Sequence, residues 1–353
     1  MSVRPYNLLV VGLGPKGRRH LRAFEATGRV RLAICDEDTE MRLAVMREHS
    51  VDRAYGSLDE ALRERHDAAV VAGSVPRRFQ TALRLMEHRI HVMIEPPLGL
   101  SLEGSDEMLA MARRMRRVAA TGYLWRAHPA LTAMRDAVTE GRFGRPLQVI
   151  GVDARRLVDL EADGAAGATT PSHKTGAGVI QQGLSHLLNT AQWLVGSMDY
   201  LIADAERQVL ETGPVEDTVH VIARHGRVQA EYAANQHQSI PETFLTVVAE
   251  DGCCRFDPRH DRWGWLSGEE STWQFERFSA GKPGEGEAAR RLDSDQLARL
   301  QAESFLDAVD GIRPPLCTLE EGVQTLRMIL AALESARTHA RQPIEPGRGV
   351  GWG

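Results

Sequence analysis

Hydrophobic and polar positions in the first 125 residues alternate between short apolar runs and amphipathic stretches. The apolar runs have the length and the β-branched content of buried strands, and they cover residues 8–11, 30–35, 68–72, 91–94 and 118–123. Between them, apolar residues recur at helical spacing over residues 18–27, 40–48, 58–65, 78–88 and 104–114. This order predicts an α/β domain with a doubly wound parallel sheet over residues 1–125.

A different pattern begins after residue 125. A helix over 129–140 precedes runs of strict apolar and polar alternation, at residues 147–155, 200–209, 217–223, 228–234, 243–249 and 254–256. Such alternation is typical of an antiparallel sheet with one buried face. Further helices are predicted over 179–195, 293–310 and 319–339, and the polar, glycine-rich stretch 269–287 is predicted to be a loop or a frayed edge. Residues 126–353 are therefore expected to form an α+β domain with a large, mostly antiparallel open sheet.

A glycine-rich turn follows the first apolar run. Gly12, Gly14 and Gly17 have the G-x-G-x-x-G spacing, after a strand and before a helix. The first glycine permits a tight turn, the second lets backbone approach a pyrophosphate, and the third lets the helix approach the strand. The motif predicts a Rossmann dinucleotide site at a helix N-terminus, with Leu13, Pro15 and Lys16 also at the cofactor.

An acidic residue ends the second apolar run. Asp36 lies 19 residues after Gly17, close to the spacing of about 20 for a carboxylate that binds the adenosine ribose. A carboxylate accepts hydrogen bonds from a 2′-hydroxyl and repels a 2′-phosphate. Glu37 and Asp38 add negative charge, and we expect no nearby Arg or Lys to offset it. The sequence thus favours NAD over NADP.

Other polar and turn residues follow the later strands of this predicted sheet. Ligands bind beyond the carboxyl ends of parallel strands. We therefore expect these residues to line one crevice with the glycine turn: Gly73, Ser74, Pro76, Glu95, Pro96 and Tyr123.

Composition narrows the function classes. The chain has 353 residues, 42% hydrophobic, with a net charge of −5, which gives no reason to expect a nucleic-acid or anionic-membrane partner. No apolar run approaches a membrane span, and we expect a cytoplasmic protein with a small-molecule substrate. The four cysteines show no metal-ligand spacing. Only Lys16, Lys174 and Lys282 among the 43 basic residues are lysine. Because the chain otherwise uses arginine for its cations, each of these lysines is a candidate for a specific role.

Several motifs together resemble the Gfo/Idh/MocA oxidoreductases over nearly the whole chain. Besides the glycine turn, they are the segments Glu95–Leu98, Gly122–Pro129 and Gly176–His186, and the closing segments that begin at Glu303 and Glu334. The resemblance implies an N-terminal Rossmann domain, a C-terminal open-sheet domain and an NAD-dependent oxidation of a sugar, polyol or similar hydroxylated molecule.

The chain departs from the family at the positions that handle the substrate proton. The family's Glu-Lys-Pro motif places a lysine at the nicotinamide, and this chain has Pro96 there. The family also places an Asp four residues before the helix His, and here Gln182 precedes His186. Position 189, often Asp, is Asn189. A glutamine binds a substrate but does not titrate, so another group must take the proton.

Three residues are candidates for that proton: His186 first, then Lys174 in the preceding loop and Tyr123 at the end of the fifth run. A neutral imidazole titrates near pH 6.5. The alternative interpretation of His186 is an ordinary core histidine. The alternative for Lys174 is a solvated cation in a loop. Arg126 is expected at the cofactor, or else in an ion-paired linker.

Substrate contacts are expected from Gln182, from His186, and from Arg155 or Arg156, one of which faces the crevice by strand alternation. No metal site is expected.

Two other functions remain open on the sequence. One is a redox-neutral enzyme whose NAD stays tightly bound and is recycled within each cycle. The other is a non-catalytic NAD-binding protein, since Pro96 and Gln182 both remove titratable groups. In all cases the open sheet is expected to pair with another copy, giving a homodimer or homotetramer.

Overall fold

The computed structural model describes residues 4–156, 178–209, 215–268, 272–278 and 292–345. These residues form two compact units. The first unit holds residues 4–124 and 294–323, and the second holds the other described residues.

The first unit is built on a six-stranded sheet in the order β3-β2-β1-β4-β5-β6, in which every pair is parallel. Its strands are Tyr6–Val11 (β1), Val30–Cys35 (β2), Val51–Tyr55 (β3), Ala68–Val71 (β4), His91–Ile94 (β5) and Ala119–Thr121 (β6). This is the doubly wound Rossmann order, with the strand order reversing beside β1. The predicted fold class of this part of the chain is confirmed.

Helices cover the sheet because each presents an apolar face to it. They are Pro15–Glu25 (α1), Thr39–Glu48 (α2), Leu58–Ala61 (α3), Arg78–Glu87 (α4) and Ser105–Met115 (α5). Leu21 and Phe24 of α1 join Leu8, Val10 and Ile34 of the sheet in one buried cluster. Burial of such side chains stabilises the fold by about 1.5–3 kcal/mol each.

One strand of this sheet was not predicted. Val51–Tyr55 (β3) lies at the sheet edge, and its central residues Asp52 and Arg53 are exposed. An edge strand with a solvated face does not need a continuous apolar run, so the pattern that marks the central strands is missing there.

A later helix belongs to this first unit. Ser294–Val309 (α8) packs on α1, with the rings of Phe305 and Phe24 at right angles and their centroids 6.1 Å apart. Arg22 Nε also donates to Asp295 Oδ2 at 2.9 Å. The sequence-based division assigned residues 294–323 to the second domain. They group with the first unit because the apolar face of α8 completes the cluster around Phe24.

The second unit contains a nine-stranded sheet in the order β14-β13-β12-β11-β7-β10-β9-β8-β15. Its strands are Pro146–Arg156 (β7), Tyr200–Glu206 (β8), Thr218–His225 (β9), Val228–Asn235 (β10), His237–Ala249 (β11), Gly252–Asp257 (β12), Arg262–Ser267 (β13), Gln274–Arg277 (β14) and Gln342–Pro343 (β15). Among the strand pairs described for this second sheet, only β7–β10 is parallel. The predicted, mostly antiparallel sheet is confirmed.

Three of these strands were not predicted. β13 carries two tryptophans, β15 is only two residues long, and β14 falls inside the stretch 269–287 that was predicted to be a loop or a frayed edge. All four residues of β14 are exposed at the end of the sheet, so its sequence carries no apolar alternation.

Helices pack on one face of the second sheet. They are Pro129–Thr139 (α6), Ser185–Val195 (α7) and Leu319–Thr338 (α9), the last of which belongs to this unit from Gln324 onward. Leu187 and Leu188 of α7 lie in a buried cluster with Val149, Val221 and Tyr232 of the sheet. The opposite face carries exposed positions, including Ile202 and Ile222.

No helix of the described residues is long and apolar enough to cross a membrane. No group of three or more His, Cys, Asp or Glu side chains in the same ranges is arranged to hold a metal ion.

Candidate cofactor and substrate sites

The turn between β1 and α1 requires its first and third glycines. Gly12 has a φ of +89°, and a Cβ there would lie 2.4 Å from Gly73 Cα. A Cβ on Gly17 would lie 1.8 Å from the carbonyl oxygen of Gly12. Only glycine at these two positions allows β1, α1 and the segment after β4 to lie so close to one another.

The second glycine leaves space for a ligand. Gly14 is the N-cap of α1, and a Cβ there would meet nothing within 4 Å. No side chain among the described residues caps this helix end, and its first turn contains no acidic residue. The uncapped N-terminus of α1, with its partial positive charge and the open space at Gly14, suits a pyrophosphate.

Asp36 is tied to the glycine turn. Its Oδ2 accepts a hydrogen bond from Leu13 N at 2.8 Å, and its Oδ1 accepts one from Asp38 N at 2.9 Å. Among the described residues, Asp36 has no ion pair within 4.0 Å. The carboxylate keeps lone pairs for the hydroxyl groups of a ribose. Together with the open helix end, this arrangement fits the adenosine half of NAD.

The expectation that no Arg or Lys lies near Glu37 and Asp38 was wrong. Arg77 Nη1 pairs with Glu37 Oε1 at 2.9 Å, and Arg42 Nη1 donates to the carbonyl oxygens of Asp36 and Glu37 at 2.6 and 3.2 Å. Arg42 is one helical turn along α2, and Arg77 comes from the loop after β4. The preference for NAD therefore depends on the Asp36 carboxylate itself.

A buried arginine that the sequence analysis did not single out connects the loops after β4 and β5. Arg78 Nε donates to Gly73 O at 3.0 Å, and its Nη1 donates to Glu95 O at 2.8 Å and Pro97 O at 2.6 Å. Gly73 and Ser74 precede the 3₁₀ turn Val75–Arg77, which contains Pro76. Arg78 thereby fixes the two loops that carry predicted cofactor residues. Nothing in a lone arginine at a helix start signals this role.

Glu95 stands at the centre of a charged cluster after β5. Its side chain is 2% exposed and lies 3.1 Å from Lys16 Nζ, 3.4 Å from Arg19 Nη2 and 2.7 Å from His20 Nε2. Burial alone would raise its pKa, but the charge of Lys16, the hydrogen bond from His20 and the charge of Arg19 hold that pKa well below the usual value. Glu95 is therefore an ionised carboxylate that orders the start of α1 against β5.

Tyr123 lies near the same edge of the sheet. It follows β6 and is 2% exposed, and its N–H donates to Thr121 O at 2.9 Å. A Cβ on the preceding Gly122 would lie 3.0 Å from Glu95 Oε2. The structure thus brings the glycine turn, Gly73 and the residues after β5 and β6 to one edge of the Rossmann sheet, as predicted.

In the second unit, Gln182 lies just before α7, and His186 lies one turn later, at the start of this helix. Residues Ile180–Leu184 form a π-helical turn, a rare geometry often found at functional sites. Both side chains are half-buried. The His186 ring lies 5.2 Å from the Trp125 ring, centroid to centroid. The pair is positioned by a packed helix, with an imidazole that is partly accessible to solvent.

Arg155 is held by a buried acid on its own strand. Its Nε donates to Asp153 Oδ1 at 2.7 Å, and Thr243 Oγ1 donates to the same oxygen at 2.9 Å. A Cβ on Gly183 would lie 2.7 Å from Asp153 Oδ2. Arg155 therefore shares the sheet face on which the π-helical turn packs, and Asp153 is a functional candidate that the sequence analysis missed.

Arg126 makes internal contacts. Its side chain is fully buried, Nε donates to Asn189 Oδ1 at 2.7 Å, and the guanidinium lies 5.1 Å from the Trp193 ring centroid. These contacts fasten the turn Leu124–Ala127 to α7, which agrees with a positioning role. Lys174 and Gly176 lie outside the described residues.

Comparison with known proteins identifies the family. Residues 6–123 match the family described as "Oxidoreductase family, NAD-binding Rossmann fold", and residues 131–255 match the "GFO/IDH/MocA C-terminal domain". The chain belongs to the Gfo/Idh/MocA oxidoreductase family.

Individual relatives are more distant. The chain is 27% identical to 1,5-anhydro-D-fructose reductase of Ensifer adhaerens, and 25% identical to UDP-N-acetylglucosamine 3-dehydrogenase of Acidithiobacillus ferrooxidans. Each match covers 92% of this chain and 94% of the relative. Among solved structures, levoglucosan dehydrogenase in complex with NADH and levoglucosan superposes with a TM-score of 0.85 at 16% identity, covering 97% of this chain and all of that one. This last likeness shows the shared fold.

Proposed function

We propose that this protein is an NAD-dependent oxidoreductase that acts on a hydroxylated small molecule, namely a sugar, a polyol or a derivative of one. The observation that carries the proposal is the hydrogen bond from Leu13 N to Asp36 Oδ2. It joins an open helix N-terminus to a carboxylate at the end of β2, and these are the two groups that a dinucleotide needs for its pyrophosphate and its adenosine ribose.

Most of the predicted cofactor residues belong to one of two groups in this proposal. The N–H groups at the start of α1, with Gly12, Leu13, Gly14 and Pro15 before them, hold the pyrophosphate. Asp36 accepts hydrogen bonds from the ribose. When bound, the cofactor supplies a hydride acceptor or donor. The residues after β4 and β5 line the other half of the site: Gly73, Ser74, Pro76, Glu95 and Pro96.

The substrate side uses the second unit. Gln182, which does not titrate, hydrogen-bonds a substrate hydroxyl, and Arg155 binds a hydroxyl or an anionic substituent. His186 is the first residue proposed to exchange the substrate proton, because its imidazole is half-buried on a packed helix. Lys174 and Tyr123 are the other candidates from the sequence. The names of the reported relatives, all of which act on sugars or sugar derivatives, support this substrate class.

The assembly and the location are further parts of the proposal. Ile202 and Ile222 are paired on neighbouring strands and are 44% and 68% exposed. Two apolar side chains on an open sheet face support a homodimer or a homotetramer formed through this sheet. A cytoplasmic location is supported by the composition of the chain.

The test is a spectrophotometric assay of the purified protein with NAD⁺ and a panel of levoglucosan, myo-inositol and 1,5-anhydro sugars, together with the reverse reaction of 1,5-anhydro-D-fructose and NADH. Stoichiometric change in absorbance at the nicotinamide wavelength is expected with at least one panel member. Asp36→Ala should lose this activity, and Glu37→Ala should keep it. Product without net nicotinamide change would instead support the redox-neutral alternative, and nucleotide binding without any product would support the non-catalytic one.

A further inference from the structure

The amine of Lys16 lies at the carboxyl end of β5, although the residue belongs to the first turn of α1. Nζ donates to Pro96 O at 2.9 Å and lies 3.1 Å from Glu95 Oε1. The Lys16 side chain is 47% exposed. Part of the Lys16 side chain is therefore open to a ligand at this edge of the sheet, while the buried Glu95 carboxylate fixes the position of its amine.

Positive charge is in excess around this amine. Arg19 and His20 face Glu95 from α1, and Arg78 faces the same residues from α4. Lys16, Arg19 and Arg78 are three cations against the single carboxylate of Glu95. Burial lowers the pKa of the Lys16 amine, and the charges of Arg78 and Arg19 lower it further, against the opposing attraction of Glu95. This environment makes Lys16 release its proton more readily than a lysine in free solution does.

The position along the sheet points to the reactive half of the cofactor. Asp36 follows β2 and receives the adenosine ribose in the proposed function. The sheet order places β5 on the other side of β1 from β2. A dinucleotide spans the crevice between these two halves of the sheet. Lys16 Nζ donates to the carbonyl oxygen of Pro96, two residues after β5. This amine is therefore on the half of the sheet that receives the nicotinamide.

We propose that Lys16, in place of the sequence candidate His186, exchanges a proton with the substrate hydroxyl during the reaction. This inference rests on the proposed NAD-dependent function. In the oxidation, the substrate O–H bond breaks and its proton moves to the neutral Nζ, while the C–H bond breaks and its electron pair leaves as a hydride to NAD⁺. In the reduction, the Lys16 ammonium returns the proton to the carbonyl oxygen. Pro96 offers no side-chain donor, and the ammonium reaches the end of β5 from the glycine turn instead.

The first test measures the titration of Lys16 without turnover. Competitive acetylation of the whole protein with acetic anhydride between pH 6 and 11, followed by peptide mass spectrometry, gives the midpoint of each lysine separately. The three lysines of the chain make the readout simple. The Lys16 midpoint is expected below those of Lys174 and Lys282. A midpoint equal to theirs or higher would overturn the proposal.

The second test separates the charge of Lys16 from its proton exchange. Lys16→Arg keeps a cation that does not deprotonate, so NAD⁺ affinity should stay within about threefold while kcat falls at least about 100-fold. Added methylamine should raise the kcat of Lys16→Ala at least about tenfold above its value without the amine. Lys282→Arg is the matched control and should keep wild-type kcat.

The outcomes distinguish this inference from the proposed function. If the kcat of Lys16→Arg stays within threefold of the wild-type kcat, the role of Lys16 is contradicted, while the proposed function is not. Absence of turnover by the wild-type protein with every panel substrate would contradict the proposed function and, with it, the role of Lys16, whereas the acetylation midpoint tests the lowered pKa of Lys16 independently of turnover.

Discussion

Leu13 N donates a 2.8 Å hydrogen bond to Asp36 Oδ2. The two residues belong to different βα turns, yet the bond makes them one binding element. The glycine turn positions the N–H groups of α1, and the same turn orients the acid that distinguishes a ribose hydroxyl from a phosphate. Cofactor choice and pyrophosphate binding are thereby coupled in the proposed NAD site.

We predict that Asp36 controls cofactor preference. Asp36→Ala removes the ribose acceptor and the repulsion of a 2′-phosphate, so NADH should bind at least about tenfold more weakly, a loss of about 1.4 kcal/mol, while the NADPH to NADH affinity ratio rises. Fluorescence titration of both nucleotides measures this. Glu37→Ala is the control, because Glu37 is exposed and paired with Arg77, and its NADH affinity should remain within twofold. Equal effects of both variants would argue against a ribose contact by Asp36.

Substitutions at two glycines of the turn should affect different properties, one the stability of the fold and the other the binding of the nucleotide. A methyl group on Gly17 would collide with Gly12 O, so Gly17→Ala should destabilise the protein by about 1–3 kcal/mol. A methyl group on Gly14 meets no protein atom, so Gly14→Ala should fold normally but bind NADH more weakly. Thermal unfolding and NADH titration of the two variants check this pair. Wild-type NADH affinity in Gly14→Ala would show that nothing approaches the backbone there.

The half-buried His91 should make the protein less stable in mild acid. Burial and the charge of Arg117 lower the pKa of His91 to about 4. Between about pH 6.5 and pH 4, the unfolded chain therefore binds a proton at this histidine, whereas the folded chain does not. The free energy of unfolding should therefore fall as the pH drops through this window. His91 contributes about 1–2 kcal/mol of that loss between pH 7 and pH 5.

Denaturant unfolding of His91→Asn at pH 7 and pH 5 tests this contribution. Asparagine can still accept the hydrogen bond that Val118 N donates to His91 Nδ1 at 3.0 Å, but it does not titrate. The acid-dependent loss should shrink in this variant, whereas the exposed His88→Asn should leave it unchanged. An identical loss in His91→Asn and the wild type would refute the assignment.

The contact between Arg126 and Asn189 should be structural. Asn189 Oδ1 accepts from Arg126 Nε at 2.7 Å, and its Nδ2 donates to Thr325 Oγ1 at 2.9 Å. Asn189→Ala removes both bonds, including the one that the buried Arg126 donates, and should cost about 2–4 kcal/mol in the free energy of unfolding. Asn189→Asp keeps an acceptor for Arg126 and should cost less. Thermal melts of both variants measure the difference, and an unchanged melting temperature in Asn189→Ala would rule out this role.

The parts of the fold that were predictable from the sequence are those encoded by local patterns. The order of β1, α1 and β2 and the position of Asp36 follow from the spacing of three glycines and two apolar runs. The central strands of both sheets were found because buried strands are apolar or alternate strictly. The edge strands Val51–Tyr55 and Gln274–Arg277 were missed because solvated edges place no such demand on their sequences.

The charged cluster could not be predicted in this way. Lys16 and Pro96 are 80 positions apart, and only the parallel pairing of the strands brings the end of β5 to the start of α1. The same holds for Arg77 beside Glu37. Contacts that cross the sheet depend on the direction of long side chains, which local sequence patterns do not specify.

The most direct measurement of the central claim is native mass spectrometry of the purified wild-type protein titrated with NAD⁺ and with NADP⁺. The account predicts one NAD⁺ per chain and binding of NADP⁺ at least about tenfold weaker. Tighter binding of NADP⁺, or binding of neither nucleotide, would contradict it.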